Sequence, residues 1–138
     1  MMVSARLLNR FDNHEVLLTT NEQSKSLQIS PKSSGFGSSV SGGELLFLAL
    51  ATCYCNDIYR EAETHGIRVV SVEVEVCGEF GGVGEPARNI SYRARVSAEA
   101  SQEAIRALMA HTDQVAEIHN TLRTLTPVVL DQIEAVAV

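Results

Sequence analysis

The stretch that most limits what this chain can fold into is "SVSGGELLFLALATCYCNDIYREAETHG", Ser39 to Gly66. It reads as one long helix with both ends marked. Ser41 and Glu44 form a Ser-x-x-Glu capping box, in which each satisfies a backbone N–H of the first turn. His65 falls in the last turn, and Gly66 can adopt the left-handed conformation that closes a helix. About 24 residues lie between these signals, a rod roughly 36 Å long. Its first half, "LLFLALATCYC", is apolar on every side, which calls for burial all round. One domain of 138 residues has difficulty surrounding such a rod. The expectation is therefore a second copy of the chain covering it.

The rest of the chain supplies short antiparallel elements. Residues 3–11 alternate, with Val3, Ala5, Leu7 and Phe11 to one side. "DNH" is a turn, and "EVLLTTN" and "KSLQIS" follow as strands. Residues 31–43, "PKSSGFGSSVSGG", are a Gly/Ser-rich loop leading into the helix. After the helix, residues 67–79 place Val70, Val72, Val74 and Val76 on one face and Glu73, Glu75, Cys77 and Glu79 on the other. Residues 88–97 place Ile90, Tyr92, Ala94 and Val96 opposite Arg93 and Arg95. A register that pairs Glu75 with Arg93 and Glu73 with Arg95 also pairs Val74 with Ala94 and Val76 with Tyr92. Charge and apolar matching thus select the same hairpin. Residues 101–113 and "QVAEIHNTLR" read as helices, with Val115, Ile118 and Leu122 inward in the second. "TPVVLDQIEAVAV" reads as a closing strand. The order predicts an α+β class, a single domain over 1–138, with helices packed on antiparallel sheet.

Composition excludes several classes. A net charge of −6, no basic cluster and no Trp argue against nucleic acid as partner. The longest apolar run, Leu45 to Ala51, is far short of a membrane span. The N-terminus lacks a signal-peptide pattern, and three cysteines at irregular spacing argue for free thiols. The cytoplasm is the expected location.

Cys53 and Cys55 point about 200° apart on a helix, so they neither pair nor chelate one metal together. His14, His65, His111 and His119 have no ligand spacing, and neither metal nor cofactor is expected. Each cysteine alone reads first as a small buried hydrophobe. A reactive thiol needs a cation or a helix N-terminus nearby. Cys53, three turns into its helix, would take that cation from elsewhere in the fold or from a second subunit. Cys77 lies among glutamates and reads as incidental. His119, on a short helix, is expected to be solvated or hydrogen-bonded.

"ELLFLALATC", residues 44–53, resembles the helix signature of the OsmC/Ohr family of small thiol-dependent peroxidases. The order of elements is similar too, and "NTL" at 120–122 looks like the end of that family's second motif, Cys-Pro-Val-x-x-Thr-Leu. The resemblance implies an OsmC-like fold, antiparallel sheets around a long central Cys-bearing helix, in an intertwined homodimer. It implies that Cys53 attacks a hydroperoxide and becomes a sulfenic acid, which a thiol later reduces. Glu44 matches a Glu common in short members, although its capping role already explains it. The motif's own second cysteine is replaced by Ala116, with Glu117 in place of the Pro, so no resolving thiol is present. Arg6 and Arg10, by region, and Lys32, on the loop before the helix, are candidates for the activating cation. Two functions are left open: a one-cysteine hydroperoxide reductase in oxidative-stress defence, with an external thiol as reductant, or a non-catalytic protein of this fold that binds a small apolar ligand between subunits.

Overall fold

The computed structural model describes residues 1–138. The chain forms two compact units, Met1–Leu46 and Phe47–Val138.

In the first unit, β1 (Val3–Arg10), β2 (Asn13–Thr20) and β3 (Gln23–Ser26) make a three-stranded antiparallel meander. β3 ends earlier than the pattern "KSLQIS" predicts, and only one further backbone bond, Leu27 N–H to Val16 O at 3.2 Å, prolongs it. The Gly/Ser loop folds back on this sheet. Asn9 donates to Gly37 O and accepts from Gly37 N–H, and Asp12 N–H donates to Gly35 O at 2.6 Å. Gly35 has φ +91°, and a Cβ there would run into the Phe11 ring. A side chain at this position is therefore excluded twice, by backbone and by space.

Helix α1 (Gly42–Thr64) begins where the capping box places it. Ser41 N–H donates to Glu44 Oε2 at 2.7 Å, and Glu44 N–H to Ser41 Oγ at 3.1 Å. Its end is a Schellman motif: Ile67 N–H bonds Ala62 O and Gly66 N–H bonds Glu63 O, with Gly66 at φ +64°.

In the second unit, β4 (Arg68–Glu79) and β5 (Arg88–Glu99) form the long hairpin. All four expected pairs are present: Glu75 with Arg93, Glu73 with Arg95, Val74 with Ala94 and Val76 with Tyr92. One detail differs. A bulge between Val69 and Ser71 turns Val70 outward and puts Val69 in its place on the packed face. Helices α2 (Gln102–Val115) and α3 (Glu117–Arg123) follow, with Ser101 capping α2 through its Oγ. They are separated at Ala116, which has extended backbone and is fully buried.

The core of this unit is a stripe on α1, Tyr54, Ile58 and Ala62, joined by Leu108 of α2. Val69, Val72, Val74, Tyr92, Ala94 and Val96 close over it from the hairpin. Burying such a stripe at about 25 cal/mol per Å² is what holds sheet to helix.

Within one chain Leu48, in the first half of α1, remains 59% exposed. Two expectations are corrected. In α3 the inward residues are not Ile118 and Leu122, both part-exposed, but His119, next to buried Ala116. Residues 126–138 form no strand, and Val128, Val129, Leu130 and Ile133 are exposed. A β-branched segment becomes a strand only beside a partner edge, and none pairs with it here.

Candidate functional site: a thiol among carboxylates

The buried residues of α1 are Leu50, Tyr54, Asp57, Ile58 and Ala62, a stripe at helical spacing. Cys53 lies at the edge of that stripe and is half-buried. Cys55 faces away, in a shallow depression with Val72 and Val74 of β4. The two thiols therefore have different surroundings, as their spacing requires. Cys77 is exposed on the charged face of β4.

One turn after Cys53, an acid occupies the apolar stripe. Asp57 is only 5% exposed, and a buried carboxylate must be paired and hydrogen-bonded. Its Oδ1 pairs with Arg60 Nη1 at 2.8 Å, and its Oδ2 accepts the Cys53 thiol at 3.3 Å. The break at Ala116 aims the first turn of α3 at the same place. Glu117 Oε1 meets Arg60 Nη1 at 3.1 Å, and Glu117 Oε2 lies 3.9 Å from Cys53 Sγ. Arg60 is further held by Glu61, Nε to Oε1 at 2.9 Å, and Glu61 also meets His111 Nε2 at 3.0 Å.

The electrostatics follow from this placement. Burial first, then the hydrogen bond and the negative charges of Asp57 and Glu117, push the Cys53 thiol above its ordinary range. Only the backbone N–H of Ile118 works in the opposite direction. Burial likewise raises the Asp57 carboxyl, although Cys53 and Arg60 oppose it. Glu117 is lowered, chiefly by its own backbone N–H at the start of α3, and also by Arg60 and Asp57. The result is a protonated thiol resting on a buried carboxyl, with one guanidinium compensating the acids.

Ligand atoms of Cys53, Asp57 and Glu117 all lie within 4.8 Å of one another. The positive charge that this donor set meets in the structure is Arg60. Of the expected site residues, Cys53 is the one at this cluster. Glu44 spends its carboxylate on the capping box, which lowers its pKa through the Ser41 backbone and hydroxyl. Arg6, Arg10 and Lys32 belong to the first unit. Sequence reasoning missed Asp57, Arg60 and the contact made by Glu117. The available signal was an acid at position i+7 of an apolar stripe starting at Leu50, with an arginine three residues on.

His119 is also unlike its expectation. It is 5% exposed, with neither ring nitrogen hydrogen-bonded, between the rings of Tyr54 and Tyr92.

Comparison with known proteins agrees with this architecture. No curated protein matches the chain. Among solved structures, an OsmC-like protein from Mycoplasma pneumoniae superposes with a TM-score of 0.61 at 18% identity, covering 91% of this chain and 88% of that one. An OsmC-like protein of unknown function from Vibrio cholerae gives 0.63 at 12% identity, over 88% and 93%. An organic hydroperoxide resistance protein OsmC from Legionella pneumophila gives 0.52 at 19% identity, over 89% and 90%. The OsmC-like protein family matches residues 35–131, a span that includes α1, the hairpin, α2 and α3, and the chain belongs to that family.

Proposed function

We propose that the protein is a thiol-dependent hydroperoxide reductase working through one cysteine, Cys53. The observation that carries this reading is the 3.3 Å contact between the Cys53 thiol and Asp57 on α1, within the span that matches the OsmC-like family. The hydroperoxide resistance protein among the structural neighbours supports the same direction. Attack by sulfur on the distal peroxide oxygen forms the S–O bond and breaks O–O. The thiol proton passes to Asp57 and on to the departing alkoxide, so that thiol plus hydroperoxide gives sulfenic acid plus alcohol. An external thiol then displaces water from the sulfenic acid, leaving a mixed disulfide. A second thiol releases Cys53 and carries away the disulfide. Glu44 has no part in these steps.

A second reading, a non-catalytic member of the fold that binds a small apolar ligand, is favoured by the carboxylates that keep Cys53 protonated. Peroxide consumption with excess dithiol separates the two. The reductase reading requires turnover that Cys53→Ser abolishes and Cys55→Ser leaves intact. No turnover by the unaltered protein leaves the binding reading.

The active form on this reading is a homodimer. Its support is the apolar surface that one chain leaves uncovered: Val3, Leu7 and Phe11 of the first unit, Leu48 of α1 and the segment from Val128 to Val138. No helix is long and apolar enough to cross a membrane, and three free cysteines fit a reducing compartment such as the cytoplasm.

A further inference from the structure

The sulfur of Cys53 is half-buried, so a molecule that reacts with it comes in from the side that solvent still reaches. Two members of its charged cluster are open to that solvent. Glu117 keeps 64% of its side chain exposed and Arg60 46%, whereas Asp57 is almost wholly buried. Glu117 Oε2 is also 3.9 Å from Sγ. Whatever bonds to the sulfur must therefore bring its own atoms close to the Glu117 carboxylate.

The charges around the sulfur do not cancel. Asp57 and Glu117 each give one oxygen to Arg60 Nη1 and turn the other towards Sγ. Arg60 Nε is taken by Glu61. Three carboxyl groups thus share one guanidinium, which has no side left to receive an incoming anion. His111 meets Glu61, and even a protonated His111 leaves one negative charge in excess. Further along α3, Arg123 is taken up by Asp113. Glu117 stays ionised, since its own backbone N–H and Arg60 hold its carboxyl below the ordinary range. Like charges about 5 Å apart slow an encounter roughly fourfold even at the dielectric constant of water, and opposite charges speed it equally.

We infer that Glu117 makes the sulfur selective by charge: Cys53 reacts with neutral or cationic molecules and turns anionic ones away. For substrate and reductant the inference rests on the reductase reading. The substrate is then an uncharged alkyl hydroperoxide and not a hydroperoxy carboxylate. The reductant attacks as a thiolate and brings a negative charge of its own. A thiol with an ammonium group beside its sulfur offsets that charge, and one with a carboxylate adds to it.

The test uses two methanethiosulfonates, one carrying a trimethylammonioethyl group and the other a sulfonatoethyl group. Each converts a thiolate to a mixed disulfide and releases methanesulfinate, so no peroxide is involved. Their rates with Cys53 in the unaltered protein are followed by peptide mass analysis. Each is divided by the same reagent's rate with mercaptoethanol. The ratio of the two does not depend on how far Cys53 is ionised. The expected cationic-to-anionic ratio is about tenfold or more at low salt, falling several-fold in about 0.5 M salt. Glu117→Gln keeps the shape, removes the charge and should lower the ratio about threefold or more. Glu103→Gln, in the first turn of α2, makes the same change in net charge outside the cluster and should leave the ratio as it is. A ratio near one in the unaltered protein, an equal fall in both variants, or no modification by the cationic reagent would overturn the inference. The salt series uses the unaltered chain, so it decides even if a variant does not fold. The expected ratio without peroxide turnover would remove the reductase reading and leave the charge selection standing.

Discussion

Cys53 Sγ and Asp57 Oδ2 lie 3.3 Å apart on adjacent turns of α1, the sulfur half-buried and the carboxylate almost wholly so. The acid has two opposed effects on the thiol. At rest its charge disfavours the thiolate. During attack on a peroxide it is the group placed to take the proton.

These effects separate in Asp57→Asn. Removing the negative charge should let the thiol ionise at lower pH, so that Cys53 alkylation by iodoacetamide at neutral pH becomes several-fold faster. Removing the base should lower peroxide turnover by about 10²-fold or more. The two rates, measured on the same preparation, are expected to move in opposite directions. A parallel rise of both would show that Asp57 only restrains the thiol.

A second outcome follows from the surroundings of the sulfur. Cys55 faces β4 and Cys77 is exposed on the hairpin's charged face, and the residues beside the Cys53 sulfur are the acids Asp57 and Glu117. A sulfenic acid at Cys53 therefore has no neighbour with which to condense. Excess hydroperoxide without reductant should carry Cys53 on to sulfinic acid, seen by mass spectrometry as two added oxygens. An intramolecular disulfide in non-reducing peptide maps would contradict this.

Burial lowers the His119 pKa below its ordinary value. The unfolded chain then takes up a proton at about pH 6.5, where the folded chain does not. Stability should fall as pH is lowered from about 6.5 towards the folded-state pKa, and be constant in this respect above it. Denaturant midpoints at pH 5.5 and 7.5 measure the difference, and His119→Phe should remove this contribution. An unchanged pH dependence in the variant would place the titration elsewhere.

The apolar surface left open by one chain predicts a sedimenting mass of twice 15.0 kDa. Leu48→Asp, which sets a charge on the exposed face of α1, should shift the equilibrium towards the monomer. Sedimentation of both as monomers would remove the dimer from the account.

What was legible in the sequence was whatever local chemistry decides. The Ser41–Glu44 box and Gly66 set the ends of α1, because caps act within one turn. The β4–β5 register was readable because Glu75 with Arg93 and Val76 with Tyr92 demand the same alignment. The bulge at Val70 was not, since alternation alone cannot reveal one inserted residue. Residues 126–138 have strand composition, yet a strand also needs a partner edge that composition does not supply. The site was half readable. Cys53 stood out by its place in a recognisable motif. Asp57 looked like the start of the helix's polar half, and only the packing of Tyr54 and Ile58 against the hairpin makes it a buried acid. Glu117 reaches Cys53 across 64 positions of sequence, through a helix break whose direction no local pattern specifies. His119 falls between Tyr54 and Tyr92 for the same reason.

The most direct measurement is to expose the protein briefly to cumene hydroperoxide with dimedone present and locate the adduct by peptide mass analysis. The account predicts a sulfenic-acid adduct at Cys53 and none at Cys55 or Cys77. No adduct at Cys53, or equal labelling of all three cysteines, would contradict it.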